Sequence, residues 1–183
     1  MIQFFYTGAS KTISTQTLPS KSIGGIVSTS QVPNNRISSI FGSLPRSPEL
    51  GYESEFIGLA MKNVSGSDIT NLQIWIESPA ATAFEIAVVS VVEDSNCPGV
   101  FYIEEVPDRY SQPMTGNFVD YNATSKGTIA SFTNGSYLGV WIKRISSGAA
   151  MDSCENLVAA YELDNSVKSI TESIEEFSLN LEY

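Results

Sequence analysis

The chain is written in short segments whose side chains alternate between apolar and polar, and a period of two limits it to β structure. Ile57, Leu59 and Met61 alternate with Gly58, Ala60 and Lys62, and Leu72, Ile74 and Ile76 repeat the pattern against Gln73, Trp75 and Glu77. Successive residues of a strand point to opposite faces of a sheet, so each run has one face to bury. With the turn residues 63–68 between them, residues 53–77 predict two adjacent antiparallel strands. Residues 84–92 are dense in β-branched side chains and apolar on both faces in their second half, as a strand covered on two sides would be. Residues 129–132 and 137–144 flank Asn134-Gly135, a pair that supplies the positive φ angles of a tight turn. They predict a hairpin with Leu138, Val140 and Ile142 facing inward.

Shorter strands are expected at 2–6, 22–28, 101–106, 157–163 and 177–183, and a brief strand or helical turn at 36–41. Val167, Ile170 and Ile174 are spaced for a short helix, with a loop as the alternative. A long connection bearing Pro, Gly and Asn occupies 107–126, and loops of that length are functional or draped over a partner. Short strands without alternating helices predict an all-β fold, an antiparallel β-sandwich of immunoglobulin-like or jelly-roll topology. The body is expected over 51–183. Residues 1–50, broken by Gly24-Gly25, Pro33, Pro45 and Pro48, predict an extended N-terminal arm or a first hairpin laid against the body. At 183 residues the chain suits one such unit, with roughly 70% of its unfolded surface buried.

Composition removes most chemistry. The chain has no histidine and two cysteines, so the usual groups for proton relay near neutral pH and for transition-metal capture are nearly absent. There is no G-x-S-x-G, and Gly24-Gly25 is followed by Ile-Val-Ser, which suits backbone geometry and not a phosphate loop. Carboxylate pairs are the remaining catalytic device. Glu104-Glu105 and Glu175-Glu176 are such pairs, but neighbours along a strand diverge, and both are expected to decorate a surface. Asp94, Asp108, Asp120 and Asp152 lie in no calcium-loop pattern. No catalytic, cofactor-binding or metal-binding residue is therefore expected.

Ten Lys and Arg against twenty Asp and Glu give a net charge of −10, which repels nucleic acid and anionic lipid. No apolar run reaches the roughly 20 residues that span a bilayer, and the start of the chain lacks the basic residues of a signal peptide. Cys97 and Cys154 are expected as unpaired thiols. The N-x-S/T patterns at Asn63, Asn122 and Asn134 carry no weight in a chain so rich in Asn, Ser and Thr. Binding residues are sought among the aromatics. Trp75 and Trp141 stand out of phase with the apolar face of their own strands, so each is either an exposed platform for a sugar ring or protein partner, or is covered because both sheet faces are. Tyr102, Tyr110 and Tyr121 are the loop candidates, and Lys143 and Arg144 are expected to cap a strand end in solvent.

The segments IQFFYTGAS (2–10), QTLPSKSIGGIVSTSQVPNNRISSIFG (16–42), EFIGLAMKNVSGSDITNLQIWIE (55–77) and YLGVWIKR (137–144) together resemble a group of structural proteins from tailed bacteriophage virions. The resemblance implies a non-enzymatic virion component, part of a capsid, neck, tail or fibre complex assembled in the host bacterial cytoplasm. It carries no active-site residues. Its partners would be other virion proteins and copies of itself, with no nucleic acid and no membrane. The alternative is a carbohydrate- or receptor-binding module that meets a host-surface glycan.

Overall fold

The computed structural model describes residues 1–33, 54–77, 84–145, 156–160 and 177–180. Within them the fold is all-β. The strands are β1 (Ile2–Tyr6), β2 (Gly25–Ile26), β3 (Ser54–Asn63), β4 (Ile69–Glu77), β5 (Phe84–Ser90), β6 (Val92–Glu93), β7 (Phe101–Ile103), β8 (Gly127–Phe132), β9 (Tyr137–Ile145), β10 (Asn156–Ala160) and β11 (Phe177–Asn180). A single 3-10 turn, Pro19–Lys21, is the only helical piece among the described residues. Two four-stranded antiparallel sheets, ordered β1-β3-β9-β5 and β11-β10-β4-β8, form the sandwich, and a small sheet, β2-β7-β6, lies apart from them.

The core between the large sheets follows the alternation. Phe4 and Tyr6 of β1, Ile57, Leu59 and Met61 of β3, Val140 and Ile142 of β9, and Phe84 and Ile86 of β5 meet Ile69, Leu72, Ile74 and Ile76 of β4 and Phe132 of β8. The spacing breaks once, between Ile69 and Leu72. Asn71 takes a left-handed φ of 54°, which asparagine tolerates better than most residues, and the shift of phase keeps both flanking apolar side chains inside. Opposite it, the β4–β8 pairing runs Thr70 with Ser131 and then Leu72 with Ile129.

Two expected hairpins are not hairpins. β3 and β4 belong to different sheets, as do β8 and β9, so residues 64–68 and 133–136 each carry the chain across the sandwich. Alternation tells which face a strand buries and not which strand it pairs with, and a buried asparagine makes the difference here. The Asn63 side chain donates from Nδ2 to the carbonyls of Ser67 (2.9 Å) and Phe132 (2.8 Å), and its Oδ1 accepts from the Ser65 amide and hydroxyl. Its backbone meets the other crossing, with Gly135 N–H donating to the Asn63 carbonyl at 2.8 Å. The Asn134 side chain accepts from Gly66 N–H, and the Asp68 carboxylate accepts from Asn134 N–H. The two crossings thus lie side by side and hold each other.

Residues 1–33 lie against the body. β1 pairs along β3, Phe4 is fully buried, and residues 28–32 run along the outer edge of β1 through bonds such as Val32 N–H to the Phe4 carbonyl. A buried hydroxyl cluster docks the segment: the Thr7 and Ser22 hydroxyls both donate to the Gly58 carbonyl, at 2.7 and 2.8 Å. Of the shorter expected strands, 22–28 reduces to β2 and 101–106 to β7. The expected element at 36–41 and the helix or loop around 167–174 fall outside the described residues.

The first sheet is apolar on its second face too. Phe56, Ala87, Val89 and Trp141 point away from the sandwich core and pack with Ile103 and Val106 under a layer made of the N-terminal segment and residues 101–119. Gly139 makes this possible, because a Cβ there would come within 2.6 Å of both Ile103 Cγ2 and Val89 Cγ2.

Two substitutions test this architecture by urea denaturation. Asn63→Ala leaves the Ser67 and Phe132 carbonyls and the Ser65 amide without this partner and is expected to cost about 3 kcal/mol. Phe4→Ala is expected to cost about 3–5 kcal/mol, the range for a core phenylalanine, whereas a phenylalanine on a loosely attached arm would cost little.

Candidate functional site: a groove beside the small sheet

The small sheet sets three apolar side chains in a row. Ile26 pairs with Tyr102, and Tyr102 with Val92, so the three stand side by side on one face of β2, β7 and β6. None of them is in the core. Tyr102 is 40% and Val92 49% exposed. The row borders a groove of about 940 Å³ that reaches β5 at Val89 and Ser90 and has Lys11, Glu104, Glu105 and Thr115 around it.

The charged groups around the groove have distinct tasks. Glu104 accepts from the Met114 and Thr115 amides, each at 2.7 Å, and from the Thr115 hydroxyl at 2.5 Å. Burial works to raise its carboxyl, but these three donors outweigh it and hold the group below the usual glutamate range. Glu104 therefore ties the long connection to β7. Lys11 reaches across to Asp94 at 2.8 Å, which keeps that carboxyl low, and Asp94 also caps its own turn at the Asn96 amide. Glu105 differs. It lies over Gly25, exposed, and its carboxylate takes part in no hydrogen bond or ion pair among the described residues. Gly24 shapes this wall: its φ is 85°, and a Cβ would run into the carbonyl of Glu104.

The other sequence candidates scatter. Trp141 is fully buried and Trp75 nearly so, with Lys126 Nζ 4.0 Å from its ring centre, so neither indole is an open platform. Trp141 points to the covered second face of the first sheet, and Trp75 is buried on the other sheet with Lys126 against its ring. Tyr121 packs against the sandwich core and over Gly127, Tyr110 is half-buried, and only Tyr102 of the three tyrosines is exposed. Asp108 accepts from Tyr110 and Ser111 in a local turn. Among the described residues no three His, Cys, Asp or Glu side chains gather as for a metal. Cys97 is a free thiol, and Asp152, Cys154 and Glu175-Glu176 fall outside the described residues. Asn63 is wholly buried, Asn122 caps its own turn, and the Asn134 side chain belongs to the crossings.

Lys143 and Arg144 are not solvent caps. Lys143 bonds Glu85 across the strand pair at 2.7 Å, and Arg144, itself buried, bonds the buried Glu55 at 2.9 Å. Arg109 from the long connection reaches the other Glu55 oxygen. That connection is further held by Phe118 against Phe56 and by paired bonds between Val119 and Ile86, while Met114 in its middle stays exposed. Nothing in the residue pattern of 107–126 signals this, because the partners Glu55, Phe56 and Ile86 lie more than 30 positions earlier and were readable only as strand residues.

No protein-family model matches the chain, and no curated protein matches it. Among solved structures it is similar to a family 123 glycoside hydrolase from Clostridium perfringens, analysed for the details of glycolipid glycan hydrolysis, with a TM-score of 0.36 and 11% identity. The match covers 70% of this chain and 20% of the length of that enzyme.

Glu55 is expected to make the fold pH-sensitive. Burial pushes its carboxyl up to about 7, against the pull of the Arg109 and Arg144 guanidiniums. A raised folded value means that the native state holds a proton the unfolded chain has released, so stability from this group is full below about pH 4.5 and is lost as pH rises through about 7. The midpoint of thermal unfolding is expected to fall between pH 5 and pH 8, and Glu55→Gln to flatten that slope. A steeper or unchanged slope in the variant would show the dependence to come from elsewhere.

Proposed function

We propose that the protein is a non-catalytic contact module, a β-sandwich that joins an assembly through the face carrying Ile26, Tyr102 and Val92. The observation behind this is the division of labour around the groove. Lys11, Asp94 and Glu104 are each tied into bonds that hold the surface in shape, and the apolar row between them stays open. A docking face needs a rigid frame and uncovered apolar area. That the assembly is a bacteriophage virion rests on the likeness of the four segments quoted above.

Much of 1–33 and the two ends of 107–122 are engaged with the body, so contact by a wrapping arm or loop is not part of this proposal. A second reading, a carbohydrate- or receptor-binding module, is favoured by one feature: Tyr102 offers an open ring at the edge of a groove with carboxylates nearby.

Tyr102→Ala and Val92→Glu remove the row without touching either core. Both are expected to leave the unfolding midpoint within about 2 °C of wild type and to deplete the chain from purified particles by more than tenfold, read by quantitative mass spectrometry. A wild-type chain missing from particles ends the virion reading, and variants incorporated at wild-type level end the role of the row.

A further inference from the structure

We infer that the groove takes an extended, basic segment of a partner chain, with an Arg or Lys side chain lying between the Tyr102 ring and the Glu105 carboxylate. This rests on the contact-module reading and names what the contact recognises. Three observations converge. The apolar row is three strands wide, enough to seat alternate side chains of a strand-like segment. Among the charges around the groove, Lys11 is satisfied by Asp94 and Glu104 by residues 114–115, which leaves Glu105 as the one carboxylate there with no partner among the described residues. The chain carries −10 overall, so the field around that carboxylate favours an incoming cation.

A guanidinium or ammonium group at this place has two matched partners. The Tyr102 face attracts a cation through its ring quadrupole, and Glu105 accepts its N–H donors. The flanking Ile26 and Val92 cover the aliphatic stem of the same side chain, which long basic residues bury while keeping their charge near water. A neutral sugar would use the ring but draw little from the free carboxylate's charge, and an acidic segment would be repelled.

The test uses the full chain and a fluorescein-labelled, end-blocked octapeptide, Gly-Leu-Arg-Leu-Gly-Leu-Arg-Gly, followed by anisotropy at low salt. Saturable binding is expected, weakened at least tenfold when both arginines become glutamine and absent when they become glutamate. Glu105→Gln is expected to weaken it about fivefold and Tyr102→Ala more than tenfold, while Asp68→Asn, far along the chain at a crossing, leaves it unchanged. Equal binding of the glutamine peptide, or indifference to Glu105→Gln, overturns the proposal. Loss of the Tyr102→Ala variant from particles combined with no binding of any arginine peptide would leave the contact module standing and remove only this ligand.

Discussion

Everything in this structure depends on a sheet that is apolar on both faces. β3, β9 and β5 send Ile57, Val140 and Ile86 one way and Phe56, Trp141 and Val89 the other. A four-stranded sheet with two greasy faces cannot stop at a sandwich, because the second sheet covers only one of them. The chain answers with a third layer, drawn from its first thirty residues and from the stretch after β6. The small sheet belongs to that layer. Its inner side helps seal Trp141, and its outer row is what remains in solvent.

The same constraint explains the use of polar groups. Burying irregular chain over a sheet leaves amides and carbonyls to satisfy, and hydroxyls and carboxylates do it: Thr7 and Ser22 at Gly58, Glu104 at residues 114–115, Glu55 with Arg109 and Arg144. These groups look like site chemistry when read as a list of residue types. In place they are fastenings. Glu105 stands apart because it fastens nothing.

Much of the strand content was legible in the residues, since alternation fixes faces: Ile57-Leu59-Met61 and Leu138-Val140-Ile142 point where the pattern says. The double apolar character of 84–92 was legible as well, and it was the best clue to the third layer. Pairing was not legible. Asn134-Gly135 reads as a hairpin turn, yet it serves a crossing, because its partners at Asn63, Gly66 and Asp68 lie some seventy positions away and no local pattern reports them. Trp141 shows the same limit. Its phase said that it faces away from the sandwich core, and only the covering layer decides that this means buried. For the site, Tyr102 was one of five aromatic candidates. Nothing in its neighbours marked it out, since its row is completed by Ile26, more than seventy residues earlier.

The mutual lock of the two crossings bears on how the chain reaches this state. The bond from Asn63 to the Phe132 carbonyl closes a separation of 69 residues, and the β3–β9 ladder it adjoins spans a comparable stretch. The first sheet lacks its β3–β9 ladder and the second its β4–β8 ladder until that loop is closed, so the entropy of closure is spent early and recovered late. Such a topology folds slowly, and while it waits, β3 and β5 stand as uncovered strands with greasy sides exposed. A newly made copy is therefore most vulnerable to off-path association before residues 132–136 have been synthesised and have met Asn63.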